Sequence, residues 1–323
     1  MKTINISEIE SYVSECSAFI CCASFESRCI CISEKVSSKV KEAVVFKNSS
    51  IDIPETNLNL NKMRSFFGNE SVHEIPFDAP ECVADEMAKV IEMLATKKFD
   101  LLIDTTTFTH ETLLILLRII YLFRSSFKSI LCVYTGAGEY TPGLTPESTW
   151  LSKGCKDVRN VIGFPGVLKP NLSTKLIILA GFELERATKL IELIEPDCLV
   201  LGNGIEALND KISATMEYFR SKFIVWKEEY KNIDMVDFEF SCRDLEKTIE
   251  TIKDIITQNP KANYILVPLN TKLSTISTAI VALENPQIQL CYAVPEIYNY
   301  ENYSSPGENI TIIELKDFSV FNN

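Results

Sequence analysis

Continuous apolar runs alternate with segments of helical periodicity along most of this chain. In its first part the apolar runs predict strands near residues 18–23, 42–46, 71–77, 99–104 and 129–134. The segments between them predict helices near 27–38, 57–67, 80–97 and 109–124. Strands that are apolar throughout are typical of a parallel sheet with helices on both faces, so the pattern predicts a doubly wound α/β fold.

The same order resumes in the second part of the chain. After a loop-rich stretch and a short strand around "VRNVIGF", strands are predicted near 175–180, 197–201, 234–240, 263–267 and 287–293. Helices are predicted near 184–194, 208–222, 243–258 and 273–283. We therefore predict two duplicated Rossmann-like halves with mostly parallel sheets, at 1–145 and 172–323, joined by a connector at 146–171.

Three motifs support an internal duplication, because each occurs at corresponding places in the two parts. "FICCASFESR" corresponds to "LIILAGFELER", and "LLIDTTTFTHETLLILL" corresponds to "YILVPLNTKLSTISTAI". Each fifth strand ends in a tyrosine and is followed by a loop rich in Gly, Pro and Tyr. Ligands of open parallel sheets bind outside the carboxyl ends of the strands, where these motifs fall. We expect a ligand cleft between the two halves.

Charged residues follow the first strand of each half. Glu26 lies where a helix begins, and the helix dipole favours a carboxylate there by about 0.3–1 kcal/mol. Arg28 works against the same dipole, so it needs a carboxylate partner or an anionic ligand. Glu183 and Arg186 repeat the pattern, although Glu185 matches Glu26 equally well in sequence.

The segment "DTTTFTHE" is the densest polar cluster of the chain. One explanation is helix capping by a threonine with acidic support in the first turn. The alternative is a cleft wall in which Asp104 or Glu111 acts as a general base or binds ribose hydroxyls. These two carboxylates and Glu26 are therefore the candidate catalytic groups. An unperturbed histidine changes charge near neutral pH, which makes His110 a candidate, but the H-E-x-x-H spacing of zinc hydrolases is absent.

The second half contributes further candidates for ligand binding. Lys272 begins a helix in "PLNTKLST" and is either a phosphate or carboxylate ligand or an exposed lysine. The Gly-Asn-Gly sequence at 202–204 predicts a tight turn after a strand. The candidate ligand-binding residues are Ser24, Arg28, Thr106, Thr109, His110, Glu183, Arg186, Asn203, Asn270 and Lys272.

Composition narrows the class of protein. The 323 residues, 46% of them hydrophobic, are enough to bury a substantial core. The longest apolar segment, "ETLLILLRIIYLF", is shorter than the roughly 20 residues of a membrane span, and the N-terminus does not have the pattern of a signal peptide. Eleven cysteines, an odd number lying mostly in apolar runs, predict reduced core thiols. We expect a cytoplasmic protein.

Charge and absent motifs exclude several functions. A formal net charge of −12 opposes bulk binding along nucleic acids. The chain has two histidines and no paired C-x-x-C motifs, so we expect no metal site. It lacks the dinucleotide fingerprint, the P-loop and the G-x-S-x-G elbow, so the motifs indicate no particular cofactor.

Two resemblances rest on the motifs above. The sequences S-F-E-x-R and G-F-E-x-x-R, with D-x-T-x-F-T-x-E between them, resemble a group of bacterial Rossmann-like proteins associated with defence islands. "VPLNTKLST" is similar to the Thr-Lys turn of nucleotide-sensing Rossmann-like domains of the CRISPR-associated type. In those domains Gly-Gly precedes the turn, whereas this chain has Leu269-Asn270. The resemblances imply a nucleotide-type ligand and a role in antiviral defence, and they supply no catalytic residue.

Three hypotheses remain open at this point. The first is a sensor or effector that binds a small anionic ligand, nucleotide-like or nucleoside-like, between two related halves. The second is an enzyme acting on such a substrate by N-glycosidic or phosphate-ester chemistry, with paired carboxylates in separate roles. The third is a non-catalytic subunit that binds a partner protein or a second copy of itself.

Overall fold

The computed structural model describes residues 1–15 and 17–315. Its strands are β1 (Lys2–Asn5), β2 (Ser17–Ala23), β3 (Glu42–Asn48), β4 (Val72–Ile75), β5 (Asp100–Asp104), β6 (Ser129–Tyr140), β7 (Ser152–Lys153), β8 (Asp157–Pro165), β9 (Thr174–Ala180), β10 (Cys198–Ile205), β11 (Asp234–Ser241), β12 (Asn263–Pro268), β13 (Gln289–Val294), β14 (Ile297–Tyr298) and β15 (Ser304–Glu314). Its α-helices are α1 (Arg28–Val36), α2 (Pro54–Phe67), α3 (Pro80–Ala95), α4 (His110–Phe123), α5 (Leu184–Ile194), α6 (Asp210–Lys227), α7 (Leu245–Gln258) and α8 (Lys272–Glu284). All ten predicted strands and eight predicted helices are present.

The two large sheets share one strand order. The first has the order β1-β15-β6-β5-β2-β3-β4, in which β2 to β6 are parallel. The second has the order β11-β10-β9-β12-β13-β8, in which only β8 is antiparallel to its neighbour. Counted along the chain, the five parallel strands of each sheet lie in the order 3-2-1-4-5. The predicted fold class, two Rossmann-like halves with mostly parallel sheets, is confirmed.

The compact units of the chain do not follow chain order. One consists of Met1–Glu139 and Ser304–Asn323, and the other of Tyr140–Tyr303; we call them the first and second units. After the fifth strand of the first sheet, the chain continues into β8, which pairs with β13 of the second sheet. After β13 it continues into β15, which lies beside β6 of the first sheet. The two sheets have therefore exchanged their sixth strands.

The predicted boundaries at 145 and 172 assume that each half is one continuous segment of the chain. The exchange instead builds the first unit from two segments that are far apart in sequence. The whole of β8 falls in the predicted connector, and β15 falls in the predicted second half although it pairs in the first unit. The predicted second half also includes residues 316–323, which lie outside the described residues. Pairing between distant strands leaves no local periodicity, so the apolar pattern does not contain it.

Each unit has its own apolar core. In the first, Phe19 of β2 and Leu102 of β5 pack with Met63 of α2. In the second, Leu176 of β9 packs with Trp226 of α6. Within the part of the chain that the structure describes, no helix combines the length and the apolar character needed to cross a membrane.

The described cysteines support the prediction of reduced thiols. No disulfide joins any of the ten cysteines within residues 1–15 and 17–315, and seven of them are buried. Burial raises the pKa of Cys21, Cys29 and Cys132 because an apolar environment disfavours the thiolate. These side chains behave as small apolar groups of the core.

The strand exchange predicts which unit each sixth strand stabilises. Ile310→Ala in β15 should cost about 2–5 kcal/mol and loosen the first unit, because Ile310 belongs to that core. Val161→Ala in β8 should loosen the second unit instead, because Val161 is buried on the strand that pairs with β13. Limited proteolysis with mass spectrometry of the fragments measures which unit is cut first. Cleavage of the second unit in the Ile310 variant would contradict the exchange.

Candidate functional site

The predicted site residues gather where strand order reverses in each sheet. In the first unit this point lies between β2 and β5, and two loops leave it, at residues 24–27 and 105–109. In the second unit it lies between β9 and β12, with loops at 181–183 and 269–271. Adjacent loops run in opposite directions here, which opens a crevice that ligands of this fold class occupy.

Arg28 joins the first loop to the fifth strand of its sheet. The residue is 4% exposed. Its Nε donates to Glu26 Oε2 at 2.9 Å, its Nη2 donates to the same oxygen, and its Nη1 donates to the carbonyl of Thr135 at 3.1 Å. Desolvation of the guanidinium is thus offset by a carboxylate and a carbonyl. We call this set of contacts the first clamp.

The second unit repeats this arrangement as the second clamp. Arg186 Nη1 donates to Glu183 Oε2 at 3.0 Å, and Nε donates to the carbonyl of Ala293 at 2.8 Å. In both clamps 107 residues separate the arginine from the carbonyl. Glu183 is therefore the counterpart of Glu26, whereas Glu185 accepts from the backbone amide of Gly154.

A serine completes each clamp, and it comes from the exchanged part of the chain. Ser304, the first residue of β15, donates to Glu26 Oε2 at 2.7 Å. Ser152 of β7 donates to Glu183 Oε1 at 2.7 Å. In chain order, each serine comes after the five parallel strands of one sheet. It nevertheless contacts the clamp in the unit that contains the other sheet.

Asp104, the last residue of β5, carries an unsatisfied oxygen. The residue is 1% exposed. Its Oδ1 accepts from the backbone amide of Thr106 at 3.0 Å and from the Thr106 hydroxyl. Its Oδ2 is buried and has no hydrogen-bond partner among the described residues. A buried carboxylate oxygen in that state lowers stability, because the lost hydration is not replaced.

The environment of Asp104 shifts its titration. Burial raises the pKa of the carboxyl to about 6, while the Thr106 hydrogen bonds and the positive charge of Arg28 act in the opposite direction. The group therefore changes charge close to neutral pH. Such a carboxyl can accept hydrogen bonds from a ligand or exchange a proton with one.

The second unit lacks this carboxyl. Its fourth strand, β12, ends in Pro268, whose side chain has no polar atom. The two loops are also in direct contact there: a Cβ built on Gly181 would lie 2.0 Å from the carbonyl oxygen of Leu269. The two loops of the second unit thus approach each other closely and lack the carboxyl, so the candidate site is the switch point of the first unit.

Threonines cap the helices that follow the fourth parallel strands in both units, and the sequence predicted this cap for the first unit. Thr109 accepts from the amide of Thr112 at 3.1 Å and caps α4. Thr271 accepts from the amide of Ser274 and caps α8. Hydroxyl capping therefore explains part of both threonine-rich segments.

The other predicted site residues near the helix starts are half-buried or buried. His110 and Lys272 are the first residues of α4 and α8, and both are half-buried. Glu111 is buried in the first turn of α4, where the helix dipole favours a carboxylate. Ser24 is half-buried and accepts from the amide of Glu26 at 3.3 Å, so its hydroxyl shapes the loop after β2.

The two asparagines predicted to bind a ligand interact with other residues of the second unit. Asn270 donates to the carbonyl of Ala180 at 2.6 Å and accepts from Cys242 Sγ at 3.2 Å. Asn203 lies within β10, paired with Ala180 and Glu239. The turn predicted at 202–204 is wrong, because β10 continues to Ile205.

The two glycines that flank Asn203 have a packing explanation. A Cβ on Gly202 would meet the ring of Phe238 at 2.5 Å. A Cβ on Gly204 would meet Cys242 Sγ at 2.5 Å. Glycine is therefore required in this strand by close side-chain packing and not by a turn.

Sequence reasoning missed four residues of the first-unit site. Ser304 and Thr135 contact the first clamp, Thr107 donates to the carbonyl of Cys22 at 2.6 Å, and Asn59 donates to the carbonyl of Ser24 at 2.9 Å. The density of hydroxyls in "DTTTFT" indicated Thr107, and "CVYT" places Thr135 at the end of an apolar run. Nothing local indicates Asn59 or Ser304, because their contacts depend on chain segments far away in sequence.

Comparisons with known proteins add little to this geometry. No protein-family model matches the chain, and no curated protein matches it. Among solved structures it is similar to a periplasmic ribose ABC transporter from Conexibacter woesei DSM 14684, with 12% identity, coverage of 84% of this chain and 70% of that chain, and a TM-score of 0.22. A TM-score this low indicates neither a shared ligand nor a shared activity.

Removal of Arg28 should destabilise the protein strongly. Arg28→Ala leaves the Glu26 carboxylate buried without its charged partner, which costs about 3–5 kcal/mol. Arg186→Ala should cost a similar amount in the second clamp, whereas Arg243→Ala at an exposed position should cost less than about 0.5 kcal/mol. Urea unfolding measures all three variants. A clamp variant as stable as the Arg243 variant would show that the buried ion pair is dispensable.

Asp104 should make stability depend on pH. Its folded pKa of about 6 exceeds the ordinary value of 3.8, so between these values the folded state keeps a proton that the unfolded state has lost. The free energy of unfolding should therefore fall by about 2–3 kcal/mol as pH rises from about 4 to above 6. Asp104→Asn should abolish this decrease, and Asp85→Asn, at an exposed aspartate of α3, should keep it. Identical pH profiles for wild type and the Asp104 variant would contradict the assignment.

Proposed function

We propose that this chain recognises a nucleoside-type or nucleotide-type ligand at the switch point of the first unit. The observation that carries the proposal is the unpartnered Oδ2 of Asp104, which lies at the end of β5 beside the crevice. An O–H or N–H group of a ligand would satisfy this oxygen. Ribose hydroxyls and base amino groups are donors of this kind.

The polar surface around Asp104 suits such a ligand. Four half-buried residues with hydroxyl or imidazole groups belong to the two loops and the start of α4: Ser24, Thr107, Thr109 and His110. The crevice between strands of reversed order is the usual place for ligands in this class of sheet. Arg28 acts through the clamp, since its guanidinium already holds Glu26 and Thr135. In this proposal it positions the first loop and is not itself the anion contact.

Hydrolysis of a nucleoside-type substrate is a second candidate function. It is favoured by the pKa of Asp104, raised to about 6, which suits a general acid or base near neutral pH. Glu26 is less suited to that role, because its carboxylate is held by Arg28 and by Ser304. In this second candidate function we therefore assign proton transfer to Asp104 and not to Glu26. The role in antiviral defence stays a prediction from the motif resemblance.

Ligand-dependent stabilisation tests the proposal directly. The melting temperature of the wild type, Asp104→Asn and Asp85→Asn is measured at about pH 8, where the Asp104 carboxyl is ionised. The probes are adenosine, guanosine, cytidine, uridine and their 5′-monophosphates. A ligand at a hundredfold excess over Kd stabilises by about 2.7 kcal/mol, so a specific probe gives a clear increase. We expect that increase in the wild type and the Asp85 variant and not in the Asp104 variant.

The same samples separate recognition from catalysis. Chromatography of the probes after incubation detects free base or inorganic phosphate, and product formation that is lost in Asp104→Asn supports the enzyme. An unchanged probe that still raises the melting temperature supports recognition alone. If every probe leaves the wild-type melting temperature unchanged, or shifts the Asp104 variant equally, the proposed function is wrong.

A further inference from the structure

A second unsatisfied polar atom lies in the same network as Asp104. Thr135 of β6 is 0% exposed, and its Oγ1 has no hydrogen-bond partner among the described residues. A buried hydroxyl ordinarily donates or accepts at least one hydrogen bond. Leaving it unpaired lowers stability, so its presence needs an explanation beyond packing.

Thr106 connects the two unsatisfied side chains. Its hydroxyl donates to Asp104 Oδ1 and accepts from the backbone amide of Thr135 at 3.0 Å. The carbonyl of Thr135 accepts from Arg28 at 3.1 Å. The backbone of Thr135 is thus held on both sides, by the fourth-strand loop and by the first clamp. Asp104 Oδ2 and Thr135 Oγ1 are therefore two unpaired atoms of one rigid group.

The second unit serves as an internal comparison for this group. It builds the same clamp, with the same separation of 107 residues, but its carbonyl belongs to Ala293 and its fourth strand ends in Pro268. Neither residue has a polar side-chain atom. The clamp and the strand order therefore form without the carboxylate and without the hydroxyl. The polar pair of the first unit is not required by the fold that surrounds it.

We infer that Asp104 and Thr135 together recognise a vicinal diol, as in an unmodified ribose. One ligand hydroxyl donates to Asp104 Oδ2, and the neighbouring hydroxyl forms a hydrogen bond with Thr135 Oγ1. This inference rests on the proposed function and adds a specificity-determining residue and a class of ligand to it. It distinguishes ribonucleosides from deoxyribonucleosides and from free bases, which Asp104 alone does not.

The test removes a hydroxyl from the ligand, from Thr135 or from both, and measures the change in affinity. Titration calorimetry measures Kd for adenosine, guanosine, cytidine and uridine and for their 2′-deoxy and 3′-deoxy forms. The proteins are the wild type, Thr135→Ala, Thr135→Ser, Asp104→Asn and the surface control Thr96→Ala. Alanine occupies the corresponding position of the second unit, so the Thr135→Ala variant should fold.

We expect Thr135→Ala to weaken ribonucleoside binding by about three- to tenfold, while Thr135→Ser and Thr96→Ala leave it unchanged. One deoxy form should bind the wild type more weakly by a similar factor and lose nothing further in Thr135→Ala. Such non-additivity shows that the hydroxyl missing from that deoxy form is the one that contacts Thr135.

Other outcomes overturn the inference and separate it from the proposed function. If Asp104→Asn abolishes binding but Thr135→Ala binds every nucleoside like the wild type, the ligand site stands and the diol contact is wrong. Equal affinity of the ribo and deoxy forms for the wild type has the same meaning. If neither Asp104→Asn nor Thr135→Ala changes binding, both proposals are wrong.

Discussion

A buried ion pair joins the glutamate that follows the first parallel strand of each unit to an arginine in the next helix, and it determines how the unit is organised. The guanidinium of Arg28 or Arg186 connects the loop after the first parallel strand to the fifth parallel strand, through one carboxylate and one carbonyl. A buried guanidinium needs both partners, because the hydration that it loses is large. The loop, the helix start and the fifth strand are therefore held in one arrangement.

Because the sixth strands are exchanged, each clamp needs a serine that follows the parallel strands of the other sheet in the chain. Glu26 accepts a hydrogen bond from Ser304, and Glu183 accepts one from Ser152. Each serine enters its unit from the segment that follows the other sheet's parallel strands. A continuous half of this chain would therefore lack both a strand and one partner of its buried carboxylate.

Comparison of the two units shows which features occur wherever this fold forms and which do not. Strand order, helix caps at Thr109 and Thr271, and the arginine contacts occur in both units. The Asp104 carboxyl occurs only in the first, at a place that the second unit fills with Pro268. Real proteins violate local rules of polar satisfaction mainly at functional sites. Among the described residues the second unit also has buried atoms without a partner, among them Arg186 Nη2 of its clamp. At the positions of Asp104 and Thr135, however, it has Pro268 and Ala293, which carry no polar side-chain atom.

The apolar pattern determined the positions of the parallel strands and helices, because burial imposes this pattern locally on the sequence. Matching motifs at corresponding places indicated the duplication. Glu26, Arg28 and Asp104 could be selected in this way, since charged groups beside apolar runs are conspicuous. Only the tertiary structure decided that β8 and β15 are exchanged, that Glu183 rather than Glu185 matches Glu26, and that Gly202 lies in a strand. These outcomes depend on pairing and packing between residues far apart in the chain, and such contacts impose no periodic pattern on the residues that make them.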